Sequence, residues 1–239
     1  MGERLERALL RAFRAPSFEL RVVGTEHLAP RLLKLDVDCP DFIEAAEIHP
    51  GLWLRLWIPG PQGKFQRAYT VIGADREAGT FSLEFYLHGG GGVAETWARA
   101  ARPGMRIEAA LYEGKSVFDP GEAAEVLLVG DLTSLPAINE ICASTALPKT
   151  VILEATAPGD ESFPTEVDRP LWLEQRVDSA NTLAALPKRD LSGCACFIAG
   201  ETSMVRSVRK ELLARGAQKR LLKSQGYWIR GRSMGTAVK

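Results

Sequence analysis

The sequence has no excess of charge and no long apolar run. Its 239 residues contain 30 Lys and Arg against 30 Asp and Glu, so the formal net charge is zero. This balance gives no reason to expect nucleic acid or an anionic membrane surface as a partner. No apolar stretch approaches the roughly 20 residues that a transmembrane helix requires, so we expect no membrane insertion.

A secretory signal is also missing from the N-terminal segment, because residues 1–16 contain no apolar core before a cleavage site. Apolar residues recur there at helical spacing from Leu5 to Phe13. They predict a short amphipathic helix within residues 1–17. We therefore expect a cytoplasmic protein, and we expect it to be a monomer.

Cysteine is scarce, and the four that occur show no C-x-x-C spacing: Cys39, Cys142, Cys194 and Cys196. Cys194 and Cys196 fall in an apolar run that is typical of a strand, which favours buried free thiols. An iron–sulfur cluster would need more thiols at tighter spacing. Reduced cysteines fit a cytosolic location.

Short apolar stretches separated by turn residues fill the first half of the chain. They predict six strands, at residues 18–23, 31–37, 52–58, 67–72, 80–87 and 105–111. One helix is predicted at residues 93–101. Short, closely spaced strands of this kind indicate an antiparallel six-stranded β-barrel over residues 18–120.

Apolar runs alternate with helical segments in the second half, residues 121–239. The predicted strands cover 125–129, 150–155, 171–176 and 194–199, and the predicted helices cover 135–143, 181–186 and 201–215. This alternation indicates a Rossmann-like parallel sheet. Ligands of such sheets bind at the carboxyl ends of the strands, so the functional loops should be 130–136, 155–162 and 200–204.

The segment Arg67-Ala68-Tyr69-Thr70 lies on a predicted strand and offers three groups that a flavin nucleotide requires. Arg67 offers a forked donor for a pyrophosphate, Tyr69 a flat ring for stacking, and Thr70 a short hydroxyl and a backbone N–H. Four residues alone are also compatible with an ordinary strand that carries an exposed arginine.

A run of four glycines follows the next predicted strand, in the segment His88 to Trp97. Consecutive glycines are entropically costly but let the backbone approach a ligand closely. The helix that begins near Val93 would aim its free N–H groups at this loop, as in phosphate sites. The alternative is a flexible hairpin connection. The candidate contacts are His88, Gly91, Gly92, Val93, Ala94, Thr96 and Trp97.

Strand-to-helix turns in the second half form a third group of candidates. Gly130 to Ala137 contains Asp131, Thr133 and Ser134, and a second turn contains Gly200 and Glu201. Each is compatible with a nicotinamide nucleotide site or with a plain helix cap. The chain has no G-x-G-x-x-G fingerprint.

Near the C-terminus, Gly226 to Gly231 reads Gly-Tyr-Trp-Ile-Arg-Gly, with two aromatic residues and a cation between glycines. Such a segment is unusual for a loose tail. It is compatible with a functional role or with a packed C-terminal anchor.

These five elements, in this order, resemble the siderophore-interacting proteins, a family of FAD-binding, NAD(P)H-dependent ferric-siderophore reductases related to ferredoxin reductases. The resemblance runs from about Phe18 to Gly231. It is carried by R-x-Y-T, H-G-x-x-G-x-x-x-x-W, D-x-T-x-L-P-A, G-E and G-Y-W-x-x-G, here at 67–70, 88–97, 131–137, 200–201 and 226–231.

The resemblance implies an FAD-binding barrel domain over residues 18–120 and an NAD(P)H-binding domain over 121–239. Arg67, Tyr69 and Thr70 would then hold FAD together with the glycine loop. A ferric siderophore would be the substrate, contacted by the cations Arg55 and Arg230. No side chain need act as an acid or base, because the flavin carries the chemistry.

The sequence departs from the family pattern at several positions. Ile72 stands where relatives often carry a second arginine, and Leu132 and Ser134 replace an acid and an alanine. The Gly-Pro pair that often follows the last barrel strand is absent near Leu111. Two other functions stay open: a general flavin-dependent electron-transfer reductase and a non-catalytic siderophore-binding protein. NADH and NADPH are not distinguished, although Glu154 ends a strand where an acid can bind the ribose of NAD.

Overall fold

The computed structural model describes residues 16–111 and 117–232, together with the backbone of a short strand at 237–238. The predicted N-terminal helix lies outside the described residues. The chain forms two compact units, one before Phe118 and one over Phe118–Arg232, and the last residues of the chain belong to the first.

An antiparallel sheet forms the first unit. Its strands are β1 (Ser17–Ala29), β2 (Leu32–Asp38), β3 (Trp53–Gly60), β4 (Gly63–Thr70), β5 (Ile72–Asp75), β6 (Thr80–Tyr86) and β7 (Arg106–Leu111). They lie in the order β4-β3-β7-β1-β2-β6-β5. Two helices accompany the sheet, α1 (Pro40–Ala45) and α2 (Val93–Ala100). The antiparallel β architecture is confirmed.

Strict alternation along the strands places one face of this sheet in an apolar core. On β2 and β6 the buried residues alternate with half-buried polar ones. The largest fully buried side chains come from α1 and from five strands: Phe42, Phe81, Phe85, Leu20, Leu35, Leu54, Leu56, Ile58, Leu83 and Leu111. A period of two is the pattern of a strand with one buried face, so the sequence pattern indicates which residues form this core.

One predicted strand is divided in two. Residues 67–72 were expected to form a single strand, but β4 ends at Thr70 and β5 begins at Ile72. Between them Val71 donates its N–H to the carbonyl of Leu52 at 2.8 Å. β4 pairs with β3, whereas β5 pairs with β6 at the other end of the sheet order. The first unit therefore has one strand more in this region than the six predicted.

Strands β4 and β6, which lie near opposite ends of the sheet order, approach each other inside the first unit. Tyr69 of β4 and Phe85 of β6 meet with ring centroids 4.2 Å apart. Among the described residues no ladder joins β4 to β5. Side chains rather than a ladder therefore connect β4 to β6, and the described residues form an antiparallel sheet without the closing ladder of the predicted barrel.

A parallel five-stranded sheet forms the second unit. Its strands are β8 (Glu125–Asp131), β9 (Lys149–Ala155), β10 (Leu171–Glu174), β11 (Cys194–Glu201) and β12 (Leu222–Trp228), in the order β10-β9-β8-β11-β12. The helices are α3 (Leu135–Ser144), α4 (Ala180–Ala185) and α5 (Thr202–Ala214), with short 3₁₀ turns at Asp160–Ser162 and Lys219–Leu221. The predicted α/β domain with a parallel sheet is confirmed.

Strand β12 was not predicted as a strand. It runs parallel to β11 at the edge of the sheet and consists of half-buried or exposed residues. Its sequence contains Lys223, Ser224 and Gln225, which lack the apolar run of a buried strand. The Gly-Tyr-Trp segment is therefore part of the sheet, and it is followed by the short strand β13 (Ala237–Val238), which pairs with β4.

All four cysteines are free and buried, which for Cys194 and Cys196 is the interpretation that the sequence favoured. Within the part of the chain that the structure describes, no helix is both long and apolar enough to span a membrane.

Candidate functional site

The Arg67-Ala68-Tyr69-Thr70 segment forms the last four residues of β4. Tyr69 lies opposite Leu54 and Arg67 opposite Leu56, so both point toward the core face of the sheet. Ala68 and Thr70 point to the other face, as the strand pattern predicted. Ala68 is exposed, and Thr70 is buried.

Three aromatic rings link this segment to the glycine loop. Tyr69 packs on Phe85, and Phe85 lies 6.0 Å from the ring of Trp97 in α2. Burial raises the pKa of Tyr69, so its hydroxyl stays protonated. Trp97 is only 8% exposed and belongs to the core. Its visible role is therefore to anchor α2 against the sheet.

The glycine loop, residues 88–92, connects β6 to α2. Gly89 and Gly91 have φ angles of 81° and 63°, and a side chain at either position would meet open space. The backbone thus turns through conformations that favour glycine and presents its surface outward. The N-cap of α2 is Gly92, which has no side chain to cover the first amide groups of the helix. These amides include those of Val93 and Ala94.

His88 and Thr96 hold this loop from its two ends. The Nδ1 atom of the exposed His88 accepts the N–H of Gly90 at 3.0 Å. The backbone N–H of Thr96 donates to the carbonyl of Gly92 at 2.9 Å. Both residues therefore act on the backbone of the loop.

The loop and the β4 segment lie in the same region of the first unit. A methyl group on Gly60, at the end of β3, would lie 3.1 Å from a side-chain carbon of Val93 and 2.7 Å from the ring of Phe65. The guanidinium of Arg67 lies 5.9 Å from that same ring. The structure thus brings together the two motifs that the sequence assigned to one nucleotide.

The residues of this region fit an FAD pyrophosphate. Arg67 is half-buried, and burial lowers its pKa, although the side chain of an arginine remains charged. A partly desolvated cation and the first backbone amides of a helix, here those of α2, are donors that a phosphate prefers. Ile72, the departure from the family pattern, lies on β5, beyond the point where the chain leaves β4.

Arg55 is the cross-strand partner of Ala68, so it occupies the outer face of the sheet beside the R-x-Y-T segment. Its Nη1 atom donates to the side chain of Gln66 at 3.0 Å, and its guanidinium lies 5.6 Å from the ring of Trp53. The cation is thus oriented by polar and aromatic neighbours on the same face.

In the second unit, the carboxylate of Asp131, at the end of β8, has internal partners in the turn that follows it and at the ends of β11 and β12. It accepts the N–H of Thr133 at 2.9 Å, the N–H of Glu201 at 2.9 Å and the indole N–H of Trp228 at 2.7 Å. The side chain is 1% exposed, and burial raises its pKa although these hydrogen bonds act in the opposite direction. Asp131 therefore ties β8, β11 and β12 together and is not presented outward.

Ser134 also faces inward. It is fully buried, and its hydroxyl exchanges hydrogen bonds with the backbone of Asp131. Gly130 has no room for a larger residue, because a methyl group there would meet Ile138 at 2.8 Å and the carbonyl of Ala199 at 3.0 Å. Of the three predicted contacts in this turn, only Thr133 is exposed.

Glu201 is the N-cap of α5, and Gly200 precedes it. The Glu201 carboxylate accepts the N–H groups of Ser203 and Met204 at 2.6 and 3.1 Å and that of Arg230 at 3.3 Å. Burial acts to raise the pKa of Glu201, but the hydrogen bond from the Ser203 hydroxyl and these backbone hydrogen bonds outweigh it and lower the pKa. Gly200 has a φ angle of 135° and leaves the space that Asp131 occupies.

Arg230 lies just beyond β12 and is exposed. Its guanidinium donates to the side chain of Gln175 at 3.0 Å and lies 5.6 Å from the ring of Trp228. Gln175 also donates to the buried carboxylate of Glu154 at 3.1 Å, and Thr182 donates to the same carboxylate. Sequence reasoning did not identify Gln175 or Thr182, and no sequence motif marks them.

Glu154 is 1% exposed, so its carboxylate is held inside the sheet edge. The sequence allowed a ribose contact or a structural role for this residue. The two hydrogen bonds favour the structural role.

The fold of the chain matches solved structures over nearly its full length. The siderophore-interacting protein from Acinetobacter baumannii has a TM-score of 0.79 with 18% sequence identity, covering 92% of this chain and 93% of that one. A ferredoxin reductase of carbazole 1,9a-dioxygenase has a TM-score of 0.69 with 18% identity, covering 89% and 69%. The fold is therefore ferredoxin-reductase-like.

Family models make the assignment more specific. The model described as siderophore-interacting protein matches residues 123–231, and the siderophore-interacting FAD-binding domain matches residues 57–111. Between them they cover more than half of the chain. The chain belongs to the siderophore-interacting protein family, and FAD as its cofactor is confirmed at the level of that family.

Two curated relatives are named for transport and for reduction. The mycobactin import ATP-binding/permease protein IrtA of Mycolicibacterium smegmatis is 35% identical over 99% of this chain, but the match covers 28% of that protein. The NADPH-dependent ferric-chelate reductase of Escherichia coli is 25% identical over 72% of this chain and 69% of that protein. The chain thus spans less than a third of the first relative. The FAD-binding model and this reductase together support a flavin oxidoreductase.

Proposed function

We propose that the chain is an FAD-dependent reductase that takes electrons from NADPH or NADH and reduces the iron of a ferric siderophore, releasing Fe(II) for use inside the cell. The observation that carries this proposal is the position of Arg55. It lies directly across from Ala68, so a cation suited to an anionic ferric chelate stands on the outer face of the sheet, the face that Ala68 and Thr70 share.

Arg67 would pair with the pyrophosphate of FAD, together with the outward backbone of Gly91 and Gly92 and the first amides of α2, those of Val93 and Ala94. Tyr69 would stack on the flavin ring with the part of its own ring that Phe85 leaves uncovered, and Thr70 would contact the ring edge. Bound FAD would supply the conversion between a two-electron donor and one-electron reduction of iron. The side chains then orient the cofactor and exclude competing acceptors.

The nicotinamide nucleotide would bind at the carboxyl edge of the parallel sheet, as ligands of such sheets do. Its contacts would come from the exposed Thr133 and the first turns of α3 and α5. Asp131, Ser134, Gly200 and Glu201 would shape this edge from beneath rather than touch the nucleotide, because their polar atoms serve the protein itself. Arg230, exposed beside Gln175, would offer a cation to an anionic ligand.

The relatives' names support this proposal in two respects. One relative is named for mycobactin import and another for NADPH-dependent reduction of ferric chelates. A general electron-transfer reductase is the second candidate, favoured by the likeness in fold to a ferredoxin reductase.

Anaerobic spectroscopy separates these possibilities. The FAD-loaded protein should lose its flavin absorbance on addition of NADPH or NADH and regain it when a ferric siderophore is added, with Fe(II) trapped by ferrozine. Bleaching without reoxidation by any of several hydroxamate and catecholate chelates would favour the general reductase. Failure of the apoprotein to bind FAD would contradict both candidates.

A further inference from the structure

A buried carboxylate lies directly beneath the glycine loop. Glu95, in the first turn of α2, is 5% exposed, and both of its oxygen atoms accept the N–H of Gly89, at 3.0 and 3.2 Å. On the other side the Nε and Nη2 atoms of Arg99 donate to it at 3.1 and 2.9 Å. The Nδ1 atom of His88 lies 3.6 Å away.

The reach of this side chain is unusual for its position. A glutamate three residues after the N-cap commonly accepts the N–H of the N-cap residue itself. The N-cap here is Gly92, yet Glu95 accepts the N–H of Gly89, three residues earlier. The contact therefore folds the whole glycine loop back over the start of α2.

Four consecutive glycines have more conformational freedom than any other four residues. A ligand that must order them binds more weakly, because the lost conformational entropy is subtracted from the binding free energy. The hydrogen bond to Gly89 fixes one end of the loop, and α2 fixes the other at Gly92. His88 also holds the N–H of Gly90. Gly91 and the first helical amides are thus held near one conformation without a ligand.

The charge of Glu95 is compensated locally. A lone carboxylate near a phosphate site would repel the phosphate, but Arg99 forms an ion pair with Glu95. Glu95 therefore acts through its hydrogen bond to the loop, with Arg99 offsetting its charge.

We propose that Glu95 is a positioning residue that preorganises the glycine loop for the phosphate groups of FAD. The inference rests on the proposed function, because the loop must serve a flavin nucleotide. It predicts that Glu95 matters for flavins that carry phosphate and does not matter for riboflavin, which has none.

Flavin affinity of the apoprotein tests this, measured by quenching of flavin fluorescence. Glu95→Ala should weaken FAD binding about tenfold, the effect of one lost charge-assisted hydrogen bond and its ordering. Riboflavin binding should change less than about twofold, since the ring contacts on β4 are untouched. Glu95→Gln keeps an oxygen acceptor for Gly89 and should restore FAD affinity to within about threefold of wild type.

Two further measurements keep the result unambiguous. Arg99→Ala combined with Glu95→Gln removes the ion pair without leaving a lone carboxylate and keeps an oxygen acceptor for Gly89, so FAD affinity should fall less than with Glu95→Ala. Amide exchange followed by NMR in the apoprotein should be faster at Gly89 in Glu95→Ala than in wild type, with the protection of β6 unchanged.

Equal weakening of FAD and riboflavin would show a general loss of stability and overturn the inference, as would unchanged FAD affinity in Glu95→Ala. Wild-type protein that binds no FAD would overturn the proposed function and this inference with it. Wild-type binding combined with an unaffected variant would overturn the inference alone.

Discussion

Trp228 donates its indole N–H to the buried carboxylate of Asp131 at 2.7 Å, across 97 positions of the sequence. The same carboxylate accepts the backbone N–H of Glu201. The ends of β8, β11 and β12 are therefore joined at one point, on the edge where a parallel sheet binds its ligand.

Replacing Asp131 by asparagine should destabilise the protein by about 3 kcal/mol. The N–H groups that now donate to two carboxylate oxygens would face one amide oxygen and one NH₂ group, which cannot accept a hydrogen bond. The measurement is urea unfolding followed by circular dichroism. Thr133→Ala removes a single hydroxyl donor from an exposed residue and should cost about 1 kcal/mol or less. Equal stability of Asp131→Asn and wild type would show that the carboxylate is not a structural tie.

Gly200 should tolerate no side chain. A methyl group there would lie 2.5 Å from the Oδ2 atom of Asp131, and the φ angle of 135° is strained for any other residue. Gly200→Ala should therefore lower the free energy of unfolding by about 3 kcal/mol. Gly193 is the matched control, since a methyl group there meets nothing within 4 Å. Gly193→Ala should leave the free energy of unfolding nearly unchanged, and a similar loss in both variants would contradict the steric explanation.

Glu154 should make the free energy of unfolding decrease as the pH rises. Burial raises its pKa, with the nearby charge of Asp131 adding to the rise and the hydrogen bonds from Thr182 and Gln175 and the charge of Arg230 opposing it. A raised pKa means that the folded state binds the proton more tightly than the unfolded state. The stabilisation is therefore complete below the unfolded pKa, near 4.5, and is lost as the pH rises through the folded value.

Glu154→Gln cannot ionise and should lack this loss. The difference in unfolding free energy between Glu154→Gln and wild type should thus shift in favour of the variant as the pH rises from about 4 to 8, by at most about 1.4 kcal/mol per pH unit. Urea unfolding at several pH values measures it. The exposed Glu174, at the end of β10, provides the control variant Glu174→Gln, whose curve should run parallel to that of wild type. Parallel curves for Glu154→Gln and wild type would contradict the prediction.

Periodicity along the chain was sufficient to predict the class of each sheet and most of its strands. The alternation on β2 and β6 has a period of two, and the apolar runs of β8 and β11 are continuous, so each pattern determines its kind of sheet. The break between β4 and β5 could not be predicted, because Tyr69 to Ile72 consists only of residues that favour strands, and only the pairing partners reveal the change of edge.

The candidate site residues were predicted from motifs, and the structure adds the contacts that each of them makes. R-x-Y-T and the glycine loop are local patterns, and the structure places them together in one unit. Asp131 and Glu201 were predicted to contact a nucleotide, but their partners Trp228 and Arg230 lie far away in sequence. Because no local pattern reports a long-range hydrogen bond, the sequence could not show that these carboxylates are already occupied.

A variant at Arg55 tests whether this residue contacts the substrate or the cofactor. If it contacts an anionic ferric chelate, Arg55→Gln should raise the KM for that chelate about tenfold, the effect of one charge-assisted hydrogen bond. FAD affinity and the rate of bleaching by NADPH should be unchanged, since Arg67 and the glycine loop are intact. A neutral one-electron acceptor should be reduced as fast as by wild type, because it gains nothing from the cation.

The control for this variant is Arg21→Gln on β1, which removes an arginine that is paired with Asp38 on the same sheet. It should leave the KM for the chelate unchanged. A lower FAD affinity in Arg55→Gln would instead assign Arg55 to the cofactor, because a residue that serves only the chelate cannot alter flavin binding in the absence of the chelate.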